Sequence, residues 1–288
     1  MVHSIPAGPG SDTRNPRPFN MTSLQLTAIH LRVPTLARSV EFYAAKLGFV
    51  VLARTDHRVD LAVAPDAPPL LTLTEDPAAL PNPRDAAGLF HAALLLPSRA
   101  ALGAWLRFAA DRDVNFDGFS DHGVSEAIYL TDPDGNGLEF YADRPRAAWP
   151  TGPHAGEVAM FTRPLALPSL LSVATPPSEV PLIQAGWGHL HLRVTDLARS
   201  ERFYRETLGV VLTQGNYPGA RFLAADGYHH HLGLNSWGQP RIPLPANALG
   251  LVEATFGRVG AASSHSLRDP DGIALRITPL VPARSDRP

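Results

Sequence analysis

Apolar and polar positions along this chain alternate in short bursts, each followed by a longer run at helical spacing. AIHLRV (28–33) alternates with period two, as a half-buried strand does. Thr35 then stands where a helix N-cap belongs, and Leu36, Val40, Tyr43 and Leu47 form one apolar stripe. Gly48 takes the place of a helix C′ residue. Short strands VDLAVAP and PLLTLTE follow, and the pattern restarts. GLFHAALLLP predicts a strand, Ser98 caps a helix SRAALGAWLRFAADR, and EAIYLTD and GLEFYAD flank the turn DPDGNG as a hairpin. The unit is a strand–helix–strands module, present twice by residue 145.

The pair of modules itself recurs. HLHLRVTDLARSERFYRETLGVVLT (189–213) matches AIHLRVPTLARSVEFYAAKLGFVVL (28–52) at thirteen of 25 positions, with a constant offset of 161. The downstream DPDGNGLEF (132–140) recurs as DPDGIALRI (269–277), at a shorter offset of 137. In the second copy Asp196 replaces Thr35 as the cap, Gly209 replaces Gly48, and ARFLAAD and HHHLGLN supply the short strands. Two copies of one domain explain this most economically. The predicted fold class is α+β: four βαβββ modules in two tandem repeated domains, with sheets curled into half-open barrels. The boundaries read as a disordered tail over 1–23, a first domain (modules 1 and 2) over 24–145, and a proline-rich linker over 146–186. A second domain (modules 3 and 4) spans 187–280, and a short tail covers 281–288.

Composition narrows the chemistry. The 288 residues are 44% apolar and 18% charged, and a net charge of −2 makes no electrostatic case for nucleic acid or an anionic membrane. There is no cysteine, which excludes disulfides, thiolate metal sites and a thiol nucleophile. Any metal must be held by histidine and carboxylate. No apolar run approaches the length of a membrane span, and the polar, Pro- and Gly-rich N-terminal run does not read as a signal peptide. A cytoplasmic protein with small-molecule partners is expected; assembly into a homo-oligomer is compatible with this composition.

Glu139 breaks the apolar pattern of GLEFY, and an ionised carboxylate away from water is costly unless paired or bound to a metal. When the modules are aligned on their first strands, the leading inner positions are Ala28, His91, His189 and Glu253. The last strands of modules 2 and 4 offer Glu139 and Arg276. Modules 2 and 3 together supply His91, Glu139 and His189, the two-histidine, one-carboxylate set of a non-haem Fe(II) site. This predicts that module 2 pairs with module 3 across the linker and module 1 with module 4, where Arg276 and Glu253 could form an ion pair. His30 with His91 and Glu139 would instead build a site within the first copy. His191 shares a face with His189 by parity. Alternation over His229, His230 and His231 sends one or two of the three outward.

The stretch from His122 to Glu139 reads H-GVSEA-I-Y-LT-D-P-D-G-NGL-E. It resembles the signature of extradiol ring-cleaving dioxygenases in the vicinal oxygen chelate superfamily, departing only at Ser120. GYHHHLGLN and DRPRAAW resemble segments of the two-domain, catechol 2,3-dioxygenase-like branch. The resemblance implies Fe(II), with Mn(II) acceptable to the same donors, on His91, Glu139 and His189. It implies that Tyr129 hydrogen-bonds a substrate oxygen, that His122 orients it from behind, and that His230 is the active-site base. The substrates would be a small aromatic diol and dioxygen, in a pocket for which His191, His30, Trp187 and His231 are candidates. In the family's better-known members all six of these site residues lie in the second domain, whereas here they straddle the linker. The superfamily also holds glyoxalase-type lyases, whose sites carry two carboxylates, and metal-free binding proteins of the bleomycin-resistance type.

Overall fold

A computed structural model describes residues 23–280 except 175 and 177–179. The tails expected over 1–23 and 281–288 therefore lie outside the described residues, Ser23 excepted. Module 1 comprises β1 (Leu24–Val33), α1 (Leu36–Val40), β2 (Val50–Arg54), β3 (Arg58–Ala62) and β4 (Leu71–Glu75). Module 2 comprises β5 (Gly88–Leu95), α2 (Arg99–Ala110), β6 (Gly118–Asp121), β7 (Ser125–Thr131) and β8 (Gly137–Asp143). The connection carries β9 (Arg163–Pro164) and α3 (Leu167–Ser172). Module 3 comprises β10 (Gly186–Arg193), α4 (Leu197–Leu208), β11 (Val211–Gln214), β12 (Ala220–Ala224) and β13 (Leu232–Asn235). Module 4 is abbreviated to β14 (Gly250–Arg258), β15 (His265–Arg268) and β16 (Ala274–Pro279), because residues 259–264 are too few for a helix and its turns.

Local signals explain most helix ends. Ser98 accepts from the Ala101 N–H and Asp196 from the Arg199 N–H, and Gly209 ends α4 in the left-handed conformation. Thr35 makes no such bond; the Glu75 carboxylate, arriving from β4, accepts from the Leu36 N–H at 2.7 Å instead. After Val40 the helix widens into a π-helical turn, Glu41–Lys46, that keeps Tyr43 buried.

The strands form two curled sheets in the orders β15-β16-β14-β1-β4-β3-β2 and β11-β12-β13-β10-β5-β8-β7-β6-β9. Antiparallel pairing of β1 with β14 joins modules 1 and 4, and pairing of β5 with β10 joins modules 2 and 3. Each half-barrel thus takes one module from each repeat. Glu253 faces His30 across β1 and β14, while Arg276 lies beside Thr255; no ion pair joins Glu253 to Arg276 among the described residues. The expected bridge fails because the two residues fall at different heights on neighbouring strands.

The repeated FY and DPDG groups tie the half-barrels together. Tyr43 donates to the Asp132 carboxylate at 2.8 Å, and Tyr204 donates to Asp269 at 2.9 Å. Asp132 also accepts the backbone N–H groups of Asp134 and Asn136, so it organises the hairpin turn while it receives the tyrosine. Each repeat is thereby pinned to itself although its strands pair with the other repeat. Burial raises the pKa of both carboxyls, Asp269 to about 6. Trp105 of α2 stacks on Phe140 at 3.6 Å, so the even-numbered residues of β8 pack against the helix and the odd-numbered ones face the cleft.

Candidate metal centre

The odd face of β8 carries Glu139, Tyr141 and Asp143 in succession. Across the ladder, Tyr129 of β7 sits opposite Glu139 and Ala127 opposite Tyr141. On the other side β5 brings His91, and β10 brings His189 and His191. His91, Glu139 and His189 are all buried, and one donor atom from each lies within 4.8 Å of the others. Both imidazole Nε2 atoms stand 3.1 Å from the same oxygen, Glu139 Oε2. His189 meets it with hydrogen-bond geometry, but the buried His91 Nε2 has no hydrogen-bond partner among the described residues.

A buried ring nitrogen aimed past a carboxylate, beside a second imidazole, fits a cation between the three groups. Two neutral nitrogens and one anionic oxygen are also the donor set that a divalent transition metal takes. Burial drives the His189 pKa down to about 4, so the ring is neutral and ready to ligate at neutral pH. Burial alone would raise the Glu139 pKa, yet the two imidazoles hold it well below the usual carboxylate range.

Two β-bulges decide which side chains reach the cleft. Between β10 and β5 the register runs from Trp187↔Leu94 to His189↔Ala93, so Gly188 is the extra residue. Trp187 and His189 are two apart in sequence but one apart along the ladder, and they face opposite ways. Trp187 therefore does not line the pocket: it is buried against Phe49 and donates its Nε1–H to the Leu70 carbonyl. Only glycine fits position 188, since a Cβ there would coincide with the Tyr141 hydroxyl. The second bulge skips Phe90, between His191↔His91 and Leu192↔Leu89, and turns that ring to the cavity mouth.

His91 and Glu139 line a cavity of about 450 Å³, with His189 directly behind them. Phe90, Phe222, Trp237, Met160 and Phe161 give it a mostly apolar wall, and His191 and His230 also line it. Met160, Phe161 and Thr162 come from the segment read as linker, which carries no periodicity to mark it. At one edge Tyr129 meets His122: its hydroxyl lies 2.7 Å from Nε2, and Nδ1 lies 2.8 Å from the Phe161 carbonyl. A carbonyl only accepts, so Nδ1 carries the proton and Nε2 accepts from Tyr129. Burial and the nearby Glu139 charge raise the Tyr129 pKa well above the ordinary value.

His229, His230 and His231 are all buried, contrary to the outward-facing expectation. β13 begins only at Leu232, so the three histidines occupy a turn in which strand alternation does not hold. His230 reaches the cavity. His231 does not: its Nδ1 accepts from the Ala225 N–H, and its ring packs on Tyr228. His30 also stays away, in the other sheet with Nε2 against the Thr74 hydroxyl, because β1 pairs with β4 and β14 rather than with β5. His191 stands beside His91, with ring centroids 4.8 Å apart.

A half-barrel closed by modules from two repeats, with two histidines and a glutamate that fit a metal ion, is the architecture of the vicinal oxygen chelate class. A family model described as Glyoxalase/Bleomycin resistance protein/Dioxygenase superfamily matches residues 25–140 and 186–256. A catechol-2,3-dioxygenase of Bacillus subtilis (strain 168) is 43% identical over 226 residues, 77% of this chain and 78% of that one. Among solved structures, one from Bacillus subtilis subsp. subtilis str. 168, described as a candidate dioxygenase, superposes with a TM-score of 0.61 over 91% of this chain and 86% of that one, at 12% identity. Glyoxalase I from Zea mays superposes with a TM-score of 0.53 over 89% of this chain and 92% of that one, at 16% identity. The chain belongs to the glyoxalase/bleomycin resistance protein/dioxygenase superfamily, among its dioxygenase enzymes. No helix among the described residues is long and apolar enough to cross a membrane.

Proposed function

We propose that this protein opens the ring of a catechol-type diol with dioxygen, beside the two hydroxyls, to give a product of the muconic semialdehyde type. The observation that carries the reading is the convergence of His91, Glu139 and His189 at the edge of an apolar cavity that His91, Glu139, His230 and the Tyr129–His122 pair line. The 43% identity to a catechol-2,3-dioxygenase supports the same chemistry. The three residues would hold Fe(II), or Mn(II), which when bound supplies the electronic path between diol and dioxygen.

The rest falls to the chain. Apolar walls place a flat ring over the centre and exclude water from it. His230 Nε2 accepts a proton from one hydroxyl of the diol. Tyr129, its own proton directed to His122, offers its oxygen to the hydroxyl that keeps its hydrogen, so the diol binds as a monoanion. A glyoxalase-type lyase would need a second carboxylate, and Glu139 is the only one in the group. A metal-free binding protein would leave the His91 Nε2 buried and unpaired at a cost.

The test loads purified protein anaerobically with Fe(II), adds catechol, admits air, and follows oxygen uptake and yellow product. Wild type and His30→Ala should turn over, and His189→Ala should not. Metal-loaded wild type that consumes no oxygen with catechol or alkyl-substituted catechols would overturn the reading.

A further inference from the structure

Asp143 of DRPRAAW, before the connection, and His229 of GYHHH, after it, take no part in the site described above. They meet behind the cavity. Asp143 ends the odd face of β8, four residues beyond Glu139. Its Oδ1 lies 2.9 Å from His229 Nε2, and His229 Nδ1 lies 2.7 Å from His230 Nδ1. Trp149 packs on the His229 ring with centroids 5.2 Å apart, and Tyr228 donates to Asp143 at 3.3 Å. Neither Asp143 nor His229 lines the cavity, so neither can touch substrate.

We propose that Asp143 and His229 are positioning residues that lock His230 in one tautomer and receive, through its ring, the proton given up by substrate. The proposal rests on the reaction assigned above. Its logic is the donor and acceptor inventory along the chain of three residues. An ionised Asp143 can only accept, so His229 carries its proton on Nε2. A neutral His229 then offers Nδ1 as an acceptor, and His230 must donate its Nδ1–H to it. That leaves the His230 Nε2 lone pair for the cavity, where it has no protein hydrogen bond among the described residues.

The transfer balances along the same two hydrogen bonds. The substrate O–H bond breaks as an Nε2–H bond forms on His230. The His230 Nδ1–H bond breaks as an Nδ1–H bond forms on His229. His229 keeps its Nε2–H on Asp143, and His230 ends neutral with its hydrogen moved to Nε2. Without this path a positive charge would stay on a buried ring stacked 4.0 Å from His189. With it the charge rests as an imidazolium against a carboxylate whose side chain is 26% exposed.

Two readouts test this. In metal-free protein labelled with ¹⁵N-histidine, the short His229–His230 bond should give a low-field imidazole N–H signal, absent in His229→Ala and shifted or lost in Asp143→Ala. In Fe(II)-loaded protein, kcat for catechol cleavage should fall on the order of 100-fold in His229→Ala with KM within about threefold of wild type. His229→Gln is the decisive variant. Its amide can accept from His230 and donate to Asp143 but cannot take up a proton, so fold, iron content and KM should survive while kcat stays low. Wild-type kcat in His229→Gln, or no low-field signal in wild type, would overturn the proposal. If wild type cleaves no catechol, the proposed reaction falls, while the signal still decides the tautomer lock.

Discussion

Gly188 offers the sharpest test of how this backbone builds its centre. A Cβ at 188 would occupy the position of the Tyr141 hydroxyl and crowd its ring. Tyr141 has nowhere to go: it is fully buried, its hydroxyl is 2.8 Å from that of Tyr228, and its ring packs on His189. Gly188→Ala must therefore strain the site or undo the bulge, and undoing it would rotate either Trp187 or His189 to the wrong face. Overpacking of this kind costs roughly 1–3 kcal/mol. At about 2–4 °C per kcal/mol for a chain of this size, the melting temperature of metal-free protein should drop by about 2–12 °C.

Displacement of the His189 ring should also weaken metal binding by about 10- to 100-fold, the range seen when a ligand loses its support. Gly186→Ala, in the same strand but with open space around its added Cβ, is the matched control. Thermal melts of the metal-free proteins and iron retention against a competing chelator measure both effects. If Gly188→Ala melts with Gly186→Ala and holds iron as tightly as wild type, the bulge does not set the position of His189.

Acid should destabilise the metal-free protein through its buried histidines. Burial holds His231 at about 3 against an ordinary 6.5, so between those values the unfolded chain binds a proton that the folded one does not. Stability attributable to His231 is intact above pH 6.5 and is lost as pH falls, by about 2 kcal/mol between pH 7 and pH 5. Urea unfolding of wild type and His231→Asn at the two pH values should converge by that amount, and parallel losses would contradict it. Tyr204→Phe should cost about 1–3 kcal/mol by leaving the buried Asp269 carboxyl without its tyrosine donor. Thermal denaturation measures that loss, and an unchanged melting temperature would remove the tie from the account of how the half-barrels are joined.

Much of this molecule is determined by sequence alone. Period-two strands, capped helices and a repeat at offset 161 dictate the modules, because those signals act between near neighbours. The candidate metal-holding residues were also legible, since a carboxylate interrupts the apolar GLEFY and histidines lead two strands at corresponding positions. What the sequence could not carry was decided by register and contact between distant segments. Trp187 has the parity of His189 until the Gly188 bulge reverses it, and His231 sits in a turn where alternation has no meaning. His30 belongs to the other sheet, a matter of which strand pairs with which. Met160 and Phe161 reach the cavity from a connection without periodicity, and Asp143 meets His229 across 86 residues. Local sequence specifies elements and their faces; only the closed sheet, where a one-residue slip exchanges inside for outside, specifies which faces meet.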